Sequence, residues 1–224
     1  MRALDVMVQD VVTVRRDTDV GEAIKLLAEH DVSALPVLDE NGALVGILSE
    51  ADLIRRVEIG TEKHRPWWVE AVTGASTLAT EFAKSHGKKV GEVMATAVIS
   101  VSEDAPLSEI AAVLERNRIK RVPVVKDGKL LGIVSRANLI QALASVVGRI
   151  DQHDETDRQI RLDLLARLQE QTWTGFGSRN ITVSGGVVHL WGLVGSEAER
   201  KALCALAEST PGVSGVSDEM IPSY

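Results

Sequence analysis

The chain has 224 residues, more than one small domain needs, and its 45% hydrophobic and 25% charged residues exclude a disordered or collagen-like chain. One cysteine, Cys204, excludes an internal disulfide scaffold and a multi-cysteine zinc site, and suits a reducing compartment. The net charge of −7 opposes general attraction to nucleic acid, and no run reaches the roughly 18 apolar residues of a membrane-spanning helix. Asp5 and Asp10 interrupt the only apolar stretch of Met1 to Val14, which therefore does not read as a signal peptide, and the expected location is cytoplasmic.

In chain order, an internal repeat comes first. Met7 set over Met94 brings Val11-Val12-Thr13-Val14 onto Val98-Ile99-Ser100-Val101 and Leu35-Pro36-Val37 onto Val122-Pro123-Val124. After a one-residue deletion, Gly42, Leu44, Gly46, Ile47, Ser49 and Asp52 meet Gly128, Leu130, Gly132, Ile133, Ser135 and Asn138. Each copy reads as a short extended segment, an amphipathic helix, a hairpin and a closing helix, a β-α-β-β-α unit of α/β type. Val20, Ile24 and Leu27 recur at helical spacing, with Asp19 and Glu22 as a capping pair and Pro106 in the first turn of the second copy's helix. Asp39-Glu40-Asn41-Gly42 supplies a hairpin turn. Ser49 and Ser135 sit where a hydroxyl caps the closing helix.

The expected organisation is residues 1–57 for the first copy, 58–88 for an insertion, 89–148 for the second copy and 153–222 for a separate carboxy-terminal domain. The insertion holds Lys63-His64-Arg65-Pro66-Trp67-Trp68, a basic-aromatic cluster suited to packing on the protein's own helices, an oligomer contact, a membrane interface or a lid over an anion. The last domain starts with a helix whose Ile160, Leu164, Leu165 and Leu168 share a face. Two strands around Gly185-Gly186 follow, then a helix from Ser196 to Ser209 and a strand ending at Ile221, a small α+β arrangement.

Residues 5 to 145 resemble tandem CBS domains, the Bateman module, through the Pro-Val pair, the Gly-x-Leu-x-Gly-Ile hairpin and the Ser-x-x-Asp/Asn ending of each copy. Residues 153 to 222 resemble a BON domain through Val183 to Gly192 and Pro211-Gly212-Val213-Ser214-Gly215-Val216. The first resemblance implies a cleft between copies that binds an adenosine nucleotide (AMP, ADP, ATP or a relative) as a regulatory ligand, and pairing of modules into a homodimer. It places ligand contacts at Thr13, Val14, Ser33, Pro36, Ser49 and Asp52 in the first copy and at Lys120, Arg121, Pro123, Ser135, Arg136 and Asn138 in the second.

Asp52 and Asn138 take the ribose position, and the basic trio Lys120, Arg121 and Arg136 the phosphate. Charge agrees: residues 1–54 hold 4 basic and 11 acidic residues, residues 90–149 hold 8 and 6. Plainer readings stand beside these, with Ser49 and Ser135 as caps only, Asp52 as a solvated first-turn acid, and Lys120 and Arg121 as exposed strand residues. The BON resemblance implies a phospholipid surface or a protein partner, although residues 150–224 carry 6 basic and 11 acidic residues and so repel anionic lipid. Exposed apolar positions Ile24, Leu27, Ile140 and Leu143 are expected to form the dimer contact.

The five histidines have no metal-ligand spacing, and neither a phosphate-binding loop nor a nucleophile elbow occurs, so no catalytic residue, metal or required cofactor is expected. The expectation is a ligand-sensing regulator that relays to its BON domain. The alternative is an oligomeric scaffold or membrane-surface adaptor with empty clefts.

Overall fold

The computed structural model describes residues 1–54, 60–61, 77, 82, 84–146 and 155–223. The Trp67-Trp68 cluster lies outside the described residues. The first part of the chain forms α1 (Ala3–Val6), β1 (Val14–Arg15), α2 (Val20–Glu29), β2 (Ala34–Leu38), β3 (Leu44–Ser49) and α3 (Glu50–Leu53). The second copy gives α4 (Val90–Val93), β4 (Val101–Ser102), α5 (Leu107–Arg116), β5 (Arg121–Lys126), β6 (Lys129–Ser135) and α6 (Arg136–Val146). The last part gives α7 (Glu155–Gln169), a 3-10 turn (Ser178–Asn180), β7 (Ile181–Ser184), β8 (Val187–Val194), α8 (Glu197–Glu208) and β9 (Gly215–Pro222). Among the described residues the strands form three three-stranded sheets, ordered β1-β2-β3, β4-β5-β6 and β7-β8-β9.

Two units result, and their boundaries cut across the repeat. One contains Val11–Ile99 with Asp127–Leu130, the other Met1–Asp10, Ser100–Lys126 and Leu131–Tyr224. The copies have exchanged their leading segments: α4, from the head of the second copy, packs in the first unit, and α1 packs in the second.

In the first unit, Val14, Val20, Ala23, Leu27, Leu35, Val37 and Leu48 form a core that Val90, Val93 and Met94 of the exchanged segment complete. β1 runs parallel to β2, and β2 antiparallel to β3. Pro36 lies in the central strand, where a residue lacking an N–H normally breaks a ladder. It is tolerated because its partner across the pair, Ile47, turns its own backbone outward and exchanges two 2.9 Å hydrogen bonds with Ala95. Val8 and Ile133 make the same exchange in the second unit.

The hairpin turn forms as read, with Asp39 Oδ1 accepting from the amides of Asn41 and Ala43 and Gly42 at φ +79°. The capping of α2 differs from expectation. Asp19 is the cap residue but its side chain makes no cap bond; it pairs instead with Lys89 at 3.2 Å. Pro106 likewise sits one residue earlier than expected, as the cap of α5 rather than in its first turn.

In the second unit, Ala3, Val6 and Met7 join Val101, Ile110, Leu114, Val122, Val124 and Val134 in one core. The carboxy-terminal core gathers Ile160, Leu164, Leu165 and Leu168 of α7 with Ile181, Val188, Leu190, Val194 and Leu203. α8 starts at Ser196, whose hydroxyl accepts from the Glu199 amide. Asp157, in the first turn of α7, is buried and accepts from the amides of Gly185 and Gly186 at 2.9 and 2.7 Å, fixing the hairpin turn against α7.

Candidate functional site

Each copy closes with a Ser-x-x-Asp or Ser-x-x-Asn corner where a strand runs into a helix, and the two corners are built alike. In the first unit, Asp52 Oδ2 reaches back to accept from the Ser49 amide at 3.0 Å and from the Ser49 hydroxyl at 2.7 Å. In the second, Asn138 Oδ1 accepts from the Ser135 amide at 2.8 Å and from its hydroxyl at 2.7 Å. The serine is the cap residue of α3, and Asp52 reaches back to it in a capping box, with the serine hydroxyl donating its proton to the carboxylate. Ser135 Oγ also accepts weakly from the Asn138 amide, at 3.4 Å. Because both donors reach one atom of Asn138, that atom must be the carbonyl oxygen. The two fourth-position side chains thus differ at the remaining atom, a carboxylate oxygen in Asp52 and an NH2 donor in Asn138.

That atom of Asp52, Oδ1, lies 3.5 Å from Lys84 Nζ. Lys84 is a contact the repeat could not reveal, since the insertion that carries it has no counterpart in the second copy.

Beside each corner a backbone bond brings in a second pair. The Glu50 amide donates to the Ser33 carbonyl at 3.1 Å, and the Arg136 amide to the Lys120 carbonyl at 3.1 Å. Equivalent places thus hold Ser33 with Glu50 in one unit and Lys120 with Arg136 in the other, acidic against doubly basic. Lys120 and Arg136 are exposed, Arg121 is half-buried, and Pro36 and Pro123 are buried in their strands.

Thr13 and Val14 stand apart from the first corner. They line a groove of about 470 Å³ with Arg15, Thr18, Glu22 and Asp39, at the turn end of the β2-β3 hairpin, whereas Ser49 pairs with Ala34 at the opposite end. The Val14 side chain is 5% exposed and belongs to the core. Among the described residues, no group of three or more His, Cys, Asp or Glu converges as a metal site, and no helix is long and apolar enough to cross a membrane.

The chain matches known families along most of its length. The CBS domain model matches residues 3–59 and 90–145, and the BON domain model residues 156–221. The CBS domain-containing protein CBSX1, chloroplastic, of Arabidopsis thaliana is 33% identical over 144 residues, covering 62% of this chain and 61% of that protein. This chain thus spans about three fifths of the plant protein's length. An uncharacterised protein of Methanocaldococcus jannaschii, MJ1426, is 33% identical over 150 residues, with 89% of its length covered. The crystal structure of CBSX2 in complex with AMP has a TM-score of 0.57 at 32% identity, covering 65% of this chain and 97% of that one. With both copies and the last domain accounted for, the chain belongs to the CBS-domain family, as a tandem pair followed by a BON domain.

Proposed function

We propose that this protein is a non-catalytic regulator whose CBS pair binds an adenosine nucleotide and whose BON domain passes the bound state to a partner. The observation that carries the reading is the likeness to a CBS pair crystallised with AMP. The chemistry of the corners supports it. Asp52 keeps an oxygen beyond those used for capping, as a ribose hydroxyl requires of its acceptor, while Lys120, Arg121 and Arg136 supply positive charge for phosphate. Thr13, Val14, Ser33, Pro36, Ser49, Pro123, Ser135 and Asn138 complete the proposed contacts, with Val14 offering backbone only. A reducing, cytoplasmic setting belongs to the same reading and fits the free Cys204.

One observation favours the alternative, a scaffold that binds no nucleotide: Lys84 already stands beside the Asp52 oxygen that would meet the ribose. Thermal shift with adenosine, AMP, ADP and ATP separates the two. A ligand at about 100 times its dissociation constant raises stability by roughly 2.7 kcal/mol, and no shift with any of the four, together with no nucleotide released on denaturation, leaves the scaffold. Asp52→Asn is the sharper variant, because the amide retains the cap and changes only the outward atom. It is expected to weaken adenosine and AMP alike by about tenfold, the loss of one hydrogen bond to a charged group, with stability little changed. Arg121→Ala is expected to weaken AMP but not adenosine, and equal losses for both would contradict the phosphate assignment.

A further inference from the structure

Arg161 is only 3% exposed, yet it is a cation. Burial pulls its pKa down to about 10, against a smaller upward push from Asp5, so the charge persists at neutral pH. Its guanidinium donates from Nε to the Ile181 carbonyl at 3.0 Å and from Nη2 to the Ser178 and Met7 carbonyls at 2.7 and 3.0 Å. Nη1 reaches the Leu4 carbonyl at 3.5 Å. Two of these acceptors belong to the BON domain, and two to α1 and its cap residue, where a helix leaves carbonyls without partners.

Nearby, Arg158 Nε donates to Asp5 Oδ1 at 2.9 Å, a bond that raises the Arg158 pKa, and the Gln9 amide donates to Ser178 Oγ at 2.9 Å. The same ten residues are bonded to the second repeat: Ala3 and Leu4 donate to the carbonyls of Ala105 and Glu103, Val8 exchanges bonds with Ile133, and Arg2 pairs with Asp104. From Asp10 the chain runs in three residues to Thr13 of the first repeat's candidate contacts.

We propose that residues 1–10 are the strut that conveys the state of the CBS pair to the BON domain, with Arg161 and Arg158 as its clamp. The inference rests on the ligand-sensing reading above. An apolar contact could slide; a planar fork holding four fixed carbonyls loses its bonds on a displacement of about an ångström, since hydrogen bonds weaken steeply with distance and angle. Burying that charge is costly, and an apolar side chain would hold two surfaces together as well. What the guanidinium adds is sensitivity to position.

Hydrogen–deuterium exchange of the full chain, with and without AMP, tests the strut. In the unsubstituted protein AMP is expected to slow exchange in the repeats, in residues 3–8 and in residues 176–184. In Arg161→Met and Arg158→Gln, AMP affinity and protection in the repeats are expected to persist while the response at 176–184 disappears. Exchange in α8 reports whether each variant still folds, and Arg158→Gln carries the test if Arg161→Met does not. A response at 176–184 that survives in the folded variants overturns the proposal, as does AMP protection of the repeats with residues 176–184 silent in the unsubstituted protein. If AMP protects nothing, the nucleotide reading fails separately and the strut is judged without ligand. The variants should then raise exchange at residues 3–8 by about tenfold, the loss of one charge-assisted hydrogen bond, and unchanged exchange there overturns it.

Discussion

Asp218 on β9 holds three groups at once. Its Oδ2 accepts from Arg200 Nε at 2.7 Å and its Oδ1 from the Met220 amide at 3.0 Å, with Cys204 Sγ 3.8 Å from Oδ2. Burial pushes its carboxyl pKa up, but the bonds from Arg200 and Met220 outweigh this and hold it below the ordinary aspartate range. A depressed carboxylate stabilises the fold above its unfolded pKa, and that contribution is lost as pH falls through the folded value. Asp218→Asn is therefore expected to cost about 1 kcal/mol at pH 7 and to lose its disadvantage in acid; an equal cost in urea melts at pH 7 and pH 3 would refute this. Burial, then the Asp218 charge, raises the Cys204 thiol. Since the thiolate is the nucleophile, Cys204 should alkylate slowly with iodoacetamide at pH 8 and faster in Asp218→Asn. Identical rates would remove Asp218 as a cause.

At the same scale, Asp31 and Arg118 occupy equivalent positions after α2 and α5, and both are left-handed, at φ 48° and 54°. Glycine pays no steric cost there, so Arg118→Gly is expected to stabilise by roughly 0.5–1 kcal/mol in thermal melts. Not every residue was readable in the sequence. Asp157 and Arg161 share the spacing of Ile160, Leu164, Leu165 and Leu168, so two charges on a buried stripe were the visible signal. What a sequence cannot supply is the partner: the acceptors for Arg161 lie on another element and a distant segment.

Among the elements, the strands, hairpins and longer helices were legible because each follows a local rule, alternation or helical spacing bounded by a turn. The exchange of leading segments was not, because both copies begin alike and nothing local says which sheet a segment will join. Its trace was in the motif all the same. A Cβ on Gly132 would lie 2.6 Å from the Val8 carbonyl oxygen and 2.9 Å from Met7 Sδ, and one on Gly46 would strike Met94 Sδ with the Ala95 carbonyl at 3.2 Å. The second glycine of each Gly-x-Leu-x-Gly-Ile thus makes room for the other copy's methionine. Gly132→Ala meets backbone and is expected to cost about 1–3 kcal/mol, as overpacking does. Gly46→Ala meets chiefly the end of a flexible side chain and should cost less. Urea melts check the order, and a reversal would mean that the Met7 segment yields more easily than the Met94 segment.

For the whole molecule, the apolar positions expected at a dimer contact separate into two kinds. Ile24, Ile140 and Leu143 are 46%, 65% and 58% exposed, but Leu27 is 8% exposed and serves the core, because α2 turns it toward the β2-β3 hairpin side of its unit. We propose that the exposed three contribute to a homodimer, and Ile140→Asp/Leu143→Asp in the full chain should sediment as a monomer if α6 carries it. A dimer that survives places the contact elsewhere. We propose that the basic insertion, rather than the acidic BON domain, carries any anionic-lipid affinity: vesicle binding by the full chain should fall with salt and in Trp67→Ala/Trp68→Ala. Binding unchanged by either would make the BON domain the anchor.

The clamp also sets the order in which this protein can be completed during its synthesis. α4 finds its partners Arg16 and Thr18, and Ala95 beyond it finds Ile47, already made upstream. The carbonyls of Leu4 and Met7 wait for a guanidinium 157 and 154 residues further on. At roughly 5–20 residues per second, that delay is on the order of 10–30 s on the ribosome. Through that interval α1 has at most the second repeat to lean on, and any product that stops short of α7 keeps those two carbonyls open. A guanidinium on α7 thus locks residues translated far earlier, and a chain cut before α7 has its first ten residues but not the side chain that fixes them.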